Sequence, residues 1–189
     1  MDPAALLLMF VVLPAWILAG LADYACHRAA RIAETSGVAE SLLHLLQFAL
    51  VGLPVTLALF LKPNAGFFVL AGLCILLHHL TAYADARYAN HTRPVWPVEQ
   101  MVHSFLEVLP IAAFLLLAAT QWDQFLALFG LGTERAMFRP QPRLLPIPYL
   151  TAALAAAFAF NLLPYLEELR RCLRVRRLQR FVSRTVERS

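Results

Sequence analysis

Long apolar runs alternate with short polar stretches along this 189-residue chain. The apolar runs cover about residues 4–22, 41–61, 65–84, 101–120 and 146–166. Each run is close to the roughly 20 residues that an α-helix needs to cross the hydrocarbon core of a bilayer. The pattern therefore predicts an all-α integral membrane protein with about five transmembrane helices.

The composition supports this prediction. Hydrophobic residues make up 60% of the chain and the mean hydropathy is +0.65, whereas a soluble domain is roughly 45–50% apolar. No positive charge precedes the first apolar run, so we expect a retained helix and not a signal peptide. We expect one transmembrane domain over residues 1–166, followed by a tail over residues 167–189.

The arginines predict an orientation in the membrane. Arg28 and Arg31 lie in the first loop, Arg87 and Arg93 lie in the third, and eight arginines lie between residues 170 and 188. Because cytoplasmic loops carry an excess of basic residues, we expect an external N-terminus and a cytoplasmic C-terminus, in a bacterial inner membrane. The loop arginines either anchor helix ends or bind a lipid phosphate. We expect the fourth loop, about residues 121–145, to lie partly in the membrane interface.

Apolar residues recur at roughly helical spacing within the basic tail. They are Leu169, Leu173, Leu178, Phe181 and Val182. This pattern favours an amphipathic helix lying on anionic lipid over an arm that binds nucleic acid.

The ionisable residues are not scattered at random. All six histidines lie between residues 27 and 103, and three of them follow a carboxylate by four residues. The three pairs are Asp23 and His27, Glu40 and His44, and Glu99 and His103. Residues four apart share one face of a helix. With the predicted orientation, every pair falls at a cytoplasmic helix end, where such groups face the bundle interior and mark a site.

A weak internal repeat predicts how the helices are arranged. Residues 21–54 and 83–110 both contain an aspartate, then arginines, then a glutamate and a histidine four apart, then a proline. The first four helices therefore read as two duplicated hairpins that form a four-helix bundle. Such bundles bind metal between facing helices.

Carboxylates and imidazoles together suit iron, zinc or manganese. Residues 20–107 supply enough ligands for a centre of two ions, most fittingly iron. The predicted ligands are Asp23, His27, Glu40, His44, His79, Asp85, Glu99 and His103. Adjacent residues point in different directions on a helix, so only one of His78 and His79 faces inward, and we favour His79.

Two further residues are candidates for catalytic roles. Glu107 lies one turn beyond His103, where it would act as a ligand, a proton relay or an acceptor for the imidazole. Tyr83 shares a helix face with His79.

At these residues the chain resembles the ferritin-like di-iron carboxylate proteins, in which a four-helix bundle presents Glu and Glu-x-x-His ligands. The spacing from Glu40 to His44 and from Glu99 to His103 is one residue longer. The site is also similar to the histidine-rich sites of membrane fatty-acid hydroxylases and desaturases, which lie at cytoplasmic helix ends. The resemblance implies an oxygen-activating iron centre.

Three classes of function follow from these observations. The first is a di-iron oxidoreductase that acts as a hydroxylase, desaturase or oxidase on a hydrophobic substrate, with an electron-donor protein. The second is a zinc-dependent membrane hydrolase, in which the metal lowers the pKa of bound water. The third is a non-enzymatic haem or metal carrier. We expect membrane lipids as partners, a homo- or hetero-oligomer, no nucleic acid and no organic cofactor.

Overall fold

The structure is a computed structural model and describes residues 2–131, 139–140 and 145–186. Within this part of the chain, five helices are long and apolar enough to cross a membrane. They are α1 (Pro3–Ala29), α2 (Val38–Phe60), α3 (Ala65–Thr92), α4 (Pro97–Thr120) and α6 (Ile147–Val186). A short helix, α5 (Trp122–Leu126), follows α4. The prediction of an all-α membrane protein with five spans is confirmed.

Local sequence signals explain where the helices begin and bend. The side chain of Asn64 caps α3 by accepting a hydrogen bond from the backbone N–H of Phe67 at 2.9 Å. Pro97 occupies the first turn of α4, where the missing N–H has no partner to lose. In α1 and α6, a π-helical turn precedes a proline, at Leu8–Val12 and at Phe158–Leu162.

The long helices pack as an antiparallel bundle. Helix α1 packs against α4, α4 against α3, and α3 against α2. The second half of α6 contacts both α1 and α2, so it closes the bundle between them. Helix α6 continues through residue 166 to Val186.

One end of the bundle is held by aromatic packing. Phe68 of α3 is buried, and its ring packs edge to face against those of Phe114 and Phe125, with ring centroids 5.5 and 5.7 Å apart. Such pairs add to the stabilisation from buried area. At the same end, two short strands, β1 (Leu61–Lys62) and β2 (Arg139–Pro140), pair antiparallel. The second and fourth loops therefore meet at this end.

The fourth loop contains structure where we expected an interfacial segment. Helix α5 is followed by a 3₁₀ turn, Ala127–Phe129, and Phe125 packs on the aromatic cluster. Residues 132–138 and 141–144 lie outside the described part of the chain.

Helix α6 approaches α1 very closely because of Gly20. A Cβ atom at this position would lie 1.9 Å from Nδ2 of Asn161. That amide donates to the carbonyl of Ile17 at 3.2 Å, and the hydroxyl of Tyr165 reaches the carbonyl of Gly20 at 3.4 Å. These contacts bring a polar face of α6 into the bundle.

Candidate metal centre

Carboxylates and imidazoles from five helices converge at the end of the bundle opposite the aromatic cluster. Helix α1 supplies Asp23 and His27, α2 supplies Glu40 and His44, α3 supplies Asp85, α4 supplies Glu99 and His103, and α6 supplies Glu168. All except His103 are at most 4% exposed. The predicted pairs on α1, α2 and α4 thus share one buried cluster.

Glu168 joins two of the histidines. Its Oε2 lies 3.1 Å from Nδ1 of His27, and its Oε1 lies 2.9 Å from Nδ1 of His44. The two rings stack nearly parallel, with centroids 4.0 Å apart and planes 9° apart. Because a carboxylate only accepts, each ring donates from Nδ1, and in its neutral form it keeps the lone pair of Nε2 for another partner. This is the arrangement in which carboxylates orient histidines that bind metals.

The Nε2 atoms of both rings face further carboxylates. Nε2 of His27 lies 3.3 Å from Oδ1 of Asp23, and Nε2 of His44 lies 3.2 Å from Oδ2 of Asp85. Neither Nε2 atom has a partner with hydrogen-bond geometry, and the same is true of Oδ1 of Asp85. Buried polar atoms are normally satisfied. An ion placed among these atoms would satisfy them.

Two groups of ligand atoms lie close enough to hold an ion. Asp23, His27 and His103 form one group, and His27, Glu40 and His44 form the other, with the atoms of each group within 4.8 Å of one another. His27 belongs to both groups. Nε2 of His103 is 2.9 Å from Oδ1 of Asp23, which makes this contact the tightest within the first group.

Arg93 binds two of the three glutamates of the cluster, Glu40 and Glu99. Its guanidinium contacts Glu40 at 2.5 and 3.3 Å and contacts both carboxylate oxygens of Glu99, one of them at 3.0 Å. Burial disfavours the charge of Arg93, but the hydrogen bonds that it donates to Glu99 and Glu40 raise its pKa above the usual value. Arg93 therefore stays charged and holds α2 and α4 at a fixed distance.

A small polar cavity adjoins the cluster. Its volume is about 30 Å³, and its wall includes His44, His103 and Asp85. That volume holds about one or two molecules the size of water. His78 and Glu107 also line it, and neither ring nitrogen of His78 has a hydrogen-bond partner.

Of the residues predicted from the sequence, His79 and Tyr83 lie on the outer side of α3, whereas Glu107 lines the small cavity. His78, not the favoured His79, faces the interior: its exposed fraction is 3%, while Nδ1 of His79 is 2.8 Å from the Ile75 carbonyl of its own helix. Packing of α3 sets this rotation, and the 100° between neighbours turns His79 away. Tyr83 is 69% exposed on the same outer side, which does not suit the catalytic role. Glu107 lies at the polar cavity.

Sequence reasoning missed Glu168 as a ligand-orienting residue and Arg93 as part of the cluster. A signal for Glu168 was present in the sequence. Buried residues of α6 recur at helical spacing as Asn161, Tyr165, Glu168 and Cys172. Residues at this spacing share one helix face, which places Glu168 on the same face as the polar residues Asn161 and Tyr165.

Comparisons with protein-family models, with curated proteins and with solved structures found no match to this chain.

Proposed function

We propose that the cluster holds two metal ions and that the protein is a membrane-bound, metal-dependent oxidoreductase. The observation that carries this proposal is the position of Glu168, which fixes two imidazoles by Nδ1 and turns both Nε2 atoms toward carboxylates. One ion would be bound by Asp23, His27 and His103. The second would be bound by Glu40 and His44, with His27 within reach of both ions.

The charge of the cluster is compatible with two ions. With neutral imidazoles, five buried carboxylates and one guanidinium leave four negative charges, which two divalent cations would balance. Uncompensated buried charge is strongly unfavourable. Without metal, protonated imidazoles beside these carboxylates would carry part of the compensation.

Iron is the metal that best suits the chemistry of these ligands, because mixed carboxylate and imidazole sites with open positions bind iron in oxygen-dependent enzymes. Iron would supply the activation of O₂. Hydroxylation of a C–H bond then inserts one oxygen atom and reduces the other to water, and it consumes two electrons and two protons. The electrons would come from a donor protein at the cytoplasmic face.

The residues around the metal centre would control which molecules reach it and how protons are transferred to it. The cavity of about 30 Å³ beside His44 and His103 admits only a small molecule such as O₂ or water. Glu107 at its wall is placed to carry a proton. His78 also lines this cavity.

A zinc hydrolase is the second candidate, and one observation favours it. Asp23, His27 and His103 by themselves provide three ligands around one point, the number that a catalytic zinc uses while it keeps one position open. A haem carrier fits less well. The rings of His27 and His44 stack directly on each other and contact the same carboxylate, so they leave no space for a haem between them.

Metal analysis tests the proposal. The full chain, purified without added metal, should contain about two iron ions per chain. A single zinc would support the hydrolase, a haem absorption band would support the carrier, and protein without metal that also fails to bind added iron or zinc would overturn the metal centre.

A further inference from the structure

A second cavity lies in the apolar half of the bundle, next to the small polar cavity. Its volume is about 250 Å³, and α1, α2, α3, α4 and the region around Tyr149 form its walls. The lining side chains are aliphatic or aromatic, for example Val12, Val55, Ala113 and Phe114. We call this cavity the apolar chamber.

Trp16 separates the apolar chamber from the polar cavity, because its side chain lines both. The indole is 7% exposed and stacks on Phe48 with ring centroids 5.8 Å apart. A molecule filling the apolar chamber would therefore end one side chain away from the cluster. An apolar cavity with polar groups gathered at one end has the form of a small-molecule binding site.

We propose that the apolar chamber binds one aliphatic chain of an uncharged molecule, such as an alkane or a long-chain alcohol, with its inner end against Trp16. This inference deepens the proposed function and rests on it for the chemistry, since the bound chain would be the substrate of the metal centre. Binding of the chain itself needs only the apolar chamber.

Volume and charge select this occupant. A cavity of about 150 Å³ lined by Leu, Ile and Phe binds benzene, so a cavity of about 250 Å³ accommodates a longer hydrocarbon segment but not the two chains of a phospholipid. An empty apolar cavity destabilises a protein in proportion to its volume. None of the described residues that line the apolar chamber is basic, so an anionic head group would find no partner there.

The test uses Trp16 as a reporter. Trp96 and Trp122 are 58% and 55% exposed, and replacing both with Phe leaves Trp16 as the sole tryptophan. Bromine quenches indole fluorescence on contact. We expect 1-bromooctane added to this variant in detergent micelles to quench Trp16 saturably, because a buried indole is reached only by a molecule inside the bundle.

Two further substitutions make the test specific. Ala113→Phe, in the wall of the apolar chamber, should lower the affinity for 1-bromooctane, read from the saturable quenching, by about tenfold. This loss corresponds to about two methylene groups that are no longer buried. Ala119→Phe, on the exposed side of the same helix, should leave it unchanged. If Ala113→Phe does not fold, Val55→Phe replaces it, since Val55 lines the opposite wall.

Quenching that does not saturate, or that is equal in the two Phe variants, would overturn the inference. Equal saturable quenching by a brominated two-chain phospholipid would overturn the choice of a single chain. The metal proposal is separable: a protein that binds no metal but shows saturable quenching refutes the proposed function and keeps the apolar chamber as a binding site.

Discussion

At the scale of single residues, Glu168 decides what the cluster can do. Without it, the Nδ1 atoms of His27 and His44 would be buried donors without a partner, and the rings would be free to rotate. A carboxylate bound to both rings fixes the tautomer and the direction of Nε2. Glu168 would not bind the metal itself, but the orientation of His27 and His44 would depend on it.

Glu168→Gln should lower metal affinity by about 10- to 100-fold, which is the usual effect of losing a residue that orients a metal ligand. The amide keeps the shape but not the second acceptor oxygen. Metal content after dialysis against a chelator measures the effect. Glu167→Gln is the matched control, because Glu167 is half exposed and contacts Tyr24 and Arg28 instead. Equal metal retention in both variants would refute this role.

His44→Ala and His103→Ala should each remove metal while the bundle stays folded. Both imidazoles lie on faces turned to the cluster, and the helices around them are held mainly by apolar packing. His79→Ala should keep full metal content, since this ring contacts its own helix backbone. Helicity by circular dichroism and metal content are measured together. Unchanged metal in both His44 and His103 variants would show that the centre is elsewhere.

At the scale of elements, the duplicated hairpins give the cluster approximate two-fold symmetry. Asp23 on α1 contacts His103 on α4, and Asp85 on α3 contacts His44 on α2. Glu40 and Glu99, at the starts of α2 and α4, share Arg93. Helix α6 breaks this symmetry, because within the described part of the chain Glu168 pairs with His27 and His44 and not with His103.

Glu40→Gln and Glu99→Gln should lose metal and activity to similar extents, because each removes one charge and half of the contact with Arg93. His91→Ala should retain both, since His91 is exposed and contacts the Arg87 carbonyl. Parallel metal analysis of the three variants measures this. Loss only in the Glu99 variant would indicate a one-ion site built on the second hairpin and would favour zinc.

Gly20→Ala should displace α6 from α1, because the added Cβ would overlap the amide of the buried Asn161. Overpacking of this kind costs about 1–3 kcal/mol, and the shift would draw Glu168 away from the histidines. We expect a lower thermal midpoint and weaker metal binding. Gly52→Ala is a control, because a Cβ there meets nothing closer than 4.0 Å. A Gly20 variant as stable and metal-rich as the Gly52 variant would contradict the close approach.

At the scale of the whole molecule, the bundle is divided into a polar end and an apolar end. The polar cluster, the small cavity and the arginine-rich part of α6 lie toward one end, and the aromatic cluster and the β1–β2 pairing lie toward the other. Large apolar side chains such as Leu18, Leu53 and Leu115 are exposed on the outside, as expected of a surface in contact with lipid.

A reporter fused after Ser189 should be cytoplasmic, and one placed before Met1 should be external. The arginines at the polar end would then face the cytoplasm, in agreement with the positive-inside rule. Accessibility of the two reporters to a reagent that cannot cross the membrane measures the topology. A cytoplasmic reporter at Met1 would require one span fewer or more and would reverse the face at which an electron donor could bind.

Local patterns in the chain were enough to predict the five spans and the three carboxylate–histidine pairs. Hydropathy over about 20 residues and the helical repeat of 3.6 depend only on neighbouring residues. The meeting of the pairs at one end also followed from sequence, because antiparallel helices with arginines in alternate loops place those loops on one side.

Tertiary packing alone decided the remaining features. Whether His78 or His79 faces the interior depends on the rotation of α3 against its neighbours, which the identities of these two residues do not determine. Glu168 reaches His27 across 141 residues of sequence, and Trp16 separates two cavities only because α1 faces the centre of the bundle. Such contacts result from the packing of whole helices, whose energies are summed over many residues distant in sequence, so no local pattern specifies them.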